Sequence, residues 1–202
     1  MMSGSKGILP PMMTSEGLNM DLATDDKIYT VDMLESLPSD KRAELIDGHI
    51  YMMATPSTEH QRIAAGLFRA IDDCIKRTGR DCEVFFAPFA VYINNDEYNH
   101  LEPDLTVICD KSKIDEKGCH GAPDFVVEIV SPSSSSRDYV IKLNKYYSSG
   151  VKEYWIVDPS SKKTHVYSFS EGLTAVKDYA FDEIIKGTLC PALDVNLSAI
   201  VS

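Results

Sequence analysis

Long apolar runs, paired cysteine motifs and an excess of positive charge are all missing from this chain. No stretch is apolar enough for long enough to span a bilayer, so no membrane association is expected. The N-terminus carries one early Lys and no continuous apolar segment, so it does not read as a signal peptide. The cysteines are Cys74, Cys82, Cys109, Cys119 and Cys190, an odd number without a Cys-x-x-Cys pair. That argues against a disulfide framework or a zinc knuckle, and for a reducing, cytoplasmic setting with Cys74 and Cys109 as small core residues. His100, His120 and His165 lack zinc-ligand spacing. The serine run at 133–136 lacks a Gly-x-Ser-x-Gly elbow and reads as a loop, not a nucleophile source. Lys and Arg number 20 against 31 Asp and Glu, a net charge of −11. Such a balance counts against tight, metal-free binding to a phosphate backbone, which calls for a basic face, a local basic rim or metal ions.

What is present fits one ordinary globular domain. The 202 residues are 44% hydrophobic and 25% charged, with no internal repeat and no domain boundary. Residues 1–25 lack periodicity and read as a mobile arm, leaving 26–202 as the single domain. Thr30 is placed to cap a short helix through Leu37. Asp47-Gly48 between two apolar segments predicts a hairpin, with Glu44 near the start of its first strand. Ser57 or Thr58 opens the longest helix, ending at Gly79, and His60 shares the inward face of that helix with Ile63. Cys82 to Ile93 is strand-like with an edge or bulge at Pro88. Strands follow at Asp104–Cys109 and Asp124–Val130, then a helix over 137–149, then strands at 153–157 and 164–169.

The chemistry centres on Pro103 to Lys142. Asp104 begins one strand and Glu128 stands near the end of the next. Antiparallel pairing sets those two positions side by side, about 5 Å apart, close enough to share a cation. Glu128 lies within Phe125-Val-Val-Glu-Ile-Val130, the pattern of a strand buried on both faces, where an ionised carboxylate needs a partner or a metal. Oxygen ligands of this kind suit Mg²⁺ or Mn²⁺ better than zinc. Asp138, Lys142 and Tyr146 form one ridge of the following helix, with Lys145 pointing further outward. Lys142 is placed either to approach the metal and steady the attacking water or scissile phosphate, or to pair structurally with Asp138 or Glu128.

Several short motifs, in order, carry a resemblance: Ala43-Glu-Leu-Ile-Asp-Gly48, Pro56-Ser57 with His60, Pro103-Asp104, Val127-Glu-Ile-Val-Ser-Pro132, Asp138 with Lys142 and Tyr146, and Gly150-Val-Lys-Glu-Tyr-Trp-Ile-Val-Asp-Pro159. From about Tyr29 to Val195 the chain resembles the Uma-type family of restriction-endonuclease-like proteins, within the PD-(D/E)xK nuclease superfamily. The resemblance implies an α/β fold, a mixed central β-sheet flanked by α-helices. It implies that Asp104 and Glu128 bind metal, that Glu44 is the additional acidic residue of the site, and that the Ile129 carbonyl adds a ligand. In the superfamily motif a lysine stands two residues after the acid. Here that position is Val130, and Lys142 is the displaced lysine.

The expected activity is a Mg²⁺- or Mn²⁺-dependent endonuclease acting on DNA, with His60 as a phosphate or supporting contact. A homodimer is expected because cutting a duplex takes two sites. The alternatives are a non-catalytic binding or regulatory protein on the same fold, and a hydrolase of another phosphoester.

Overall fold

The computed structural model describes residues 27–38, 40–131, 134, 137–173 and 175–201. The arm expected at 1–25 and the serines at 133, 135 and 136 lie outside the described residues. In chain order the elements are α1 (Val31–Glu35), β1 (Ala43–Ile46), β2 (His49–Met52), α2 (Thr58–Thr78), β3 (Glu83–Phe86), β4 (Val91–Tyr92), β5 (Leu105–Ile108), β6 (Cys119–His120) and β7 (Phe125–Ile129). Next come a π-helical segment (Arg137–Lys142), α3 (Leu143–Ser149), β8 (Glu153–Asp158), β9 (Lys163–Ser168), β10 (Val176–Ala180), β11 (Ile185–Lys186), β12 (Asp194–Val195) and α4 (Ser198–Val201).

Six strands form the central sheet in the order β10-β9-β8-β7-β5-β3. β7 and β8 pair in parallel and every other neighbour is antiparallel, so the sheet is mixed. Strand alternation sends β7 residues to opposite faces. Phe125, Val127 and Ile129 join Ile63, Leu67 and Ile71 of α2 in one core, whereas Val126 and Val130 join Tyr146 of α3 in a second. Glu128 belongs to the second face by the same alternation.

Local chemistry explains the elements that frame the site. Ser57 accepts a hydrogen bond from the His60 N–H at 3.1 Å, satisfying one of the open donors of the α2 N-terminus. Gly79 ends α2 in the left-handed conformation with φ +65°. The β1–β2 turn needs positive φ at both Asp47 and Gly48 (49° and 77°), and a Cβ on Gly48 would sit 2.7 Å from Ile28. The hairpin is tied to the rest of the chain by reciprocal 2.8 Å bonds between Leu45 and His100.

Three expectations are corrected. The strand expected from Cys82 to Ile93 is two strands, β3 at the edge of the main sheet and β4 paired with β6 elsewhere. The segment after β7 is π-helical through Lys142 before it becomes α-helical, which turns the later residues relative to a continuous α-helix. Lys145 consequently faces inward and pairs with Asp47 of the hairpin turn instead of pointing to solvent.

The third correction concerns the cysteines. Cys74 is bonded to Cys190 and Cys82 to Cys109, leaving only Cys119 free. The β3–β5 register pairs Glu83 with Ile108, so the next position along sets Cys82 against Cys109. Neither pairing follows a local motif, since the partners are 116 and 27 residues apart. Thiol titration of the denatured, unreduced protein is expected to find one reactive thiol, rising to five after reduction. Five before reduction would restore the fully reduced expectation. No described helix is long and apolar enough to cross a membrane.

Candidate functional site

A cavity of about 490 Å³ opens at the end of the sheet where β5 starts and β7 finishes. Its lining includes Glu44, His60, Asp104, Glu128, Ile129, Asp138 and Lys142. All the residues singled out in the sequence therefore meet at one place, although they come from β1, α2, the β5 start, β7 and the π-helical segment.

The sheet register produces the central juxtaposition. Leu105 pairs with Val127 in antiparallel fashion, so one step further Asp104 lies opposite Glu128. The Ile129 N–H donates to Asp104 Oδ2 at 2.7 Å, and His60 Nε2 lies 3.2 Å from the same oxygen. In a strand the N–H and C=O of one residue point the same way, so the Ile129 carbonyl faces the Asp104 side as well.

Lys142 is wholly buried and ties the acidic residues together. Its Nζ lies 2.7 Å from Glu128 Oε1, 2.8 Å from Glu44 Oε1 and 3.7 Å from Asp138 Oδ1. The Tyr146 hydroxyl donates to Glu128 Oε1 at 2.7 Å, and the Glu102 N–H donates to Glu44 Oε1 at 3.0 Å. Arg137, over the ring of Tyr51, brings a second cation to 3.9 Å from Glu44 Oε2. Glu44 is thus no surface residue: it is buried behind the hairpin and reaches the site through Lys142.

The electrostatics are lopsided. Glu44, Asp104, Glu128 and Asp138 face Lys142 and Arg137, more negative charge than positive. Burial pushes the Glu128 carboxyl well above its ordinary range; Lys142 opposes this, and Asp138, Glu44 and Asp104 add to it. Burial likewise raises Asp138. Burial would raise Glu44 too, but Lys142 and Arg137 outweigh it and hold that carboxyl low. Burial works against the Lys142 ammonium, yet Glu128, Glu44 and Asp138 keep it firmly protonated. For His60, burial lowers the imidazole and the Asp104 hydrogen bond and charge more than restore it.

This donor set fits a divalent cation. Glu44 Oε2 and Asp138 Oδ1, buried without a hydrogen-bond partner, face the protein's own cations, Arg137 at 3.9 Å and Lys142 at 3.7 Å. Among the described residues, no hydrogen bond reaches Asp104 Oδ1 or Glu128 Oε2 either. Hard oxygen donors carrying surplus negative charge are what Mg²⁺ or Mn²⁺ take. Among the described residues no three His, Cys, Asp or Glu side chains are grouped closely enough to hold an ion. The Lys142 ammonium lies between Glu44 and Glu128, so the oxygens left for a cation are those of Asp104, Glu128 and the Ile129 carbonyl.

The sequence profile of the family Uma2, described as "Putative restriction endonuclease", matches residues 31–198. The chain belongs to the Uma2 family. An uncharacterized protein of Synechocystis sp. is 29% identical over 128 residues, which cover 63% of this chain. The match spans 66% of that protein, about two thirds of its length. A crystal structure from Anabaena variabilis, described as a "putative nuclease belonging to DUF820", superposes with a TM-score of 0.68. It covers 85% of this chain and 97% of the other at 21% identity, a likeness of fold. The mixed sheet flanked by helices is therefore the nuclease-like fold expected for a Uma2 member. One member of the site, Arg137, was not singled out in the sequence. Arg137 follows the serine run, and its approach to Glu44 is 93 residues distant in the chain. Asp138 was legible as part of the ridge with Lys142, but its burial was not.

Proposed function

We propose that this Uma2 protein is a Mg²⁺- or Mn²⁺-dependent endodeoxyribonuclease. The observation that carries the reading is the opposed placement of Asp104 and Glu128 at the ends of β5 and β7, in one cavity with Lys142. Asp104, Glu128 and the Ile129 carbonyl would hold the ion. A divalent cation there supplies Lewis acidity and charge neutralisation to a phosphodiester. The rest is done by the chain. Lys142 and Tyr146 fix Glu128 through Oε1. Glu44 and Asp138 in turn hold the Lys142 ammonium. The Ile129 N–H and His60 fix Asp104 through Oδ2, and a phosphate or supporting contact by His60 belongs to the same reading. DNA as substrate and a homodimer that brings two sites to a duplex belong to the same reading.

A non-catalytic use of the fold is the second reading, favoured by the net charge of −11 and by the ammonium between Glu44 and Glu128. The two are separated by incubating supercoiled plasmid and single-stranded DNA with the protein in Mg²⁺, Mn²⁺ or EDTA. Cleavage in either metal that EDTA abolishes is the expected result. DNA left intact in both metals supports the second reading.

A further inference from the structure

Lys142, the cation expected beside the scissile phosphate, is already engaged. Its side chain is 3% exposed and bonded to both Glu128 and Glu44, with Asp138 at 3.7 Å. A phosphate oxygen would have to displace one of those buried carboxylates to reach it, leaving a charge uncompensated in a low dielectric. Among the described residues, two other Lys or Arg side chains line the cavity, Arg42 and Arg137. Arg42 is engaged as well: its Nε and Nη2 donate to Glu102 Oε2 at 3.2 and 2.5 Å.

Arg137 is not. It opens the π-helical segment, next to Asp138. Its Nε is buried without a hydrogen-bond partner, and the one carboxylate in ion-pair reach among the described residues, Glu44, stands 3.9 Å off. That is beyond hydrogen-bond length. Nor is Arg137 the only support of Glu44, because Lys142 and the Glu102 N–H already hold Oε1 at 2.8 and 3.0 Å. The guanidinium is nevertheless held in place, over the ring of Tyr51 at 5.5 Å, with 14% of its side chain exposed. A guanidinium presents five N–H donors in a planar fork that matches two phosphate oxygens. An unsatisfied buried donor costs free energy that a fitting acceptor returns. Mostly buried, oriented and short of acceptors, Arg137 is suited to receive an anion in the cavity.

We propose that Arg137 is the substrate's phosphate contact: its guanidinium takes the non-bridging oxygens of the phosphodiester, while Lys142 holds the carboxylates. The proposal rests on the nuclease reading and divides the work between its two buried cations. It also answers the charge of the cavity, whose acidic lining would repel a phosphate that met no unengaged cation.

Arg137→Gln and Arg137→Lys test it through cleavage kinetics in Mn²⁺, on the DNA form that the wild type cuts. Arg137→Gln should lower kcat/KM about ten- to hundred-fold, the scale of one lost hydrogen bond to a charged group. Its kcat/KM should also fall less steeply with salt, by about one phosphate contact. Mn²⁺ uptake measured by calorimetry without DNA should stay at the wild-type value. Arg137→Lys keeps the charge without the fork, and should recover part of the rate and the full salt dependence. Wild-type kcat/KM in Arg137→Gln, or a lowered kcat/KM with unchanged salt dependence, overturns the inference and leaves the nuclease reading intact. So does loss of Mn²⁺ uptake, which would place Arg137 in the support of the metal ligands. If Arg137→Gln fails to fold, Arg137→Lys decides: wild-type kcat/KM assigns the cation to Glu44 and overturns the inference, and a several-fold loss sustains it. A wild type that cuts no DNA overturns both.

Discussion

Lys142→Met is expected to destabilise the fold by about 3–5 kcal/mol, the usual cost of breaking a buried ion pair by removing one partner. The ammonium is the shared partner of Glu128, Glu44 and Asp138, all of them buried. Methionine fills the volume of the stem but leaves those carboxylates facing one another in a low dielectric. For a chain of this size the loss corresponds to a melting point about 10 °C lower. Adding Glu44→Gln to Lys142→Met removes one of the uncompensated charges and should recover part of the loss, which shows that charge, not packing, is the cause. Chemical denaturation in EDTA measures both. A Lys142→Met variant within about 1 kcal/mol of the wild type would mean that the carboxylates are already neutral without it.

Asp104→Ala is expected to do the reverse: a large functional loss at small structural cost. Asp104 is partly exposed, and its removal leaves the Ile129 N–H beside an open cavity that water can enter. One orphaned, hydratable donor costs about 1–2 kcal/mol. Cleavage should fall by at least about a hundred-fold, since even groups that only support a metal ligand cost up to that much. Plasmid nicking and thermal denaturation of the same preparation provide the two readings. A variant that nicks at the wild-type rate would remove Asp104 from the chemistry. The contrast between Lys142 and Asp104 separates the residues that hold the site together from those that act in it.

Much of this was legible in the chain because local chemistry decided it. Asp47-Gly48 has the positive-φ residues of a hairpin turn, and Ser57 and Gly79 bracket α2 with a side-chain acceptor and a left-handed stop. The Asp104–Glu128 juxtaposition was legible because alternation and antiparallel pairing leave few registers open. What was not legible depended on distant pairing or on a change of helical period. Cys74 finds Cys190 only once the C-terminal segment packs on α2. Lys145 turns inward because the preceding segment is π-helical, and no residue of Arg137–Lys142 announces that. The central position of Lys142, bonded to two carboxylates at once, required the hairpin to deliver Glu44 from the far end of the sequence.

The central claim is that Asp104 and Glu128 hold a divalent cation, and calorimetric titration of Mn²⁺ into the wild type and Asp104→Ala addresses it without relying on any substrate. The account predicts a saturable heat in the wild type that is absent in the variant, with both proteins folded. A wild type that takes up no Mn²⁺ even when DNA is present, or an Asp104→Ala variant that binds it equally well, would contradict the account and make these carboxylates structural.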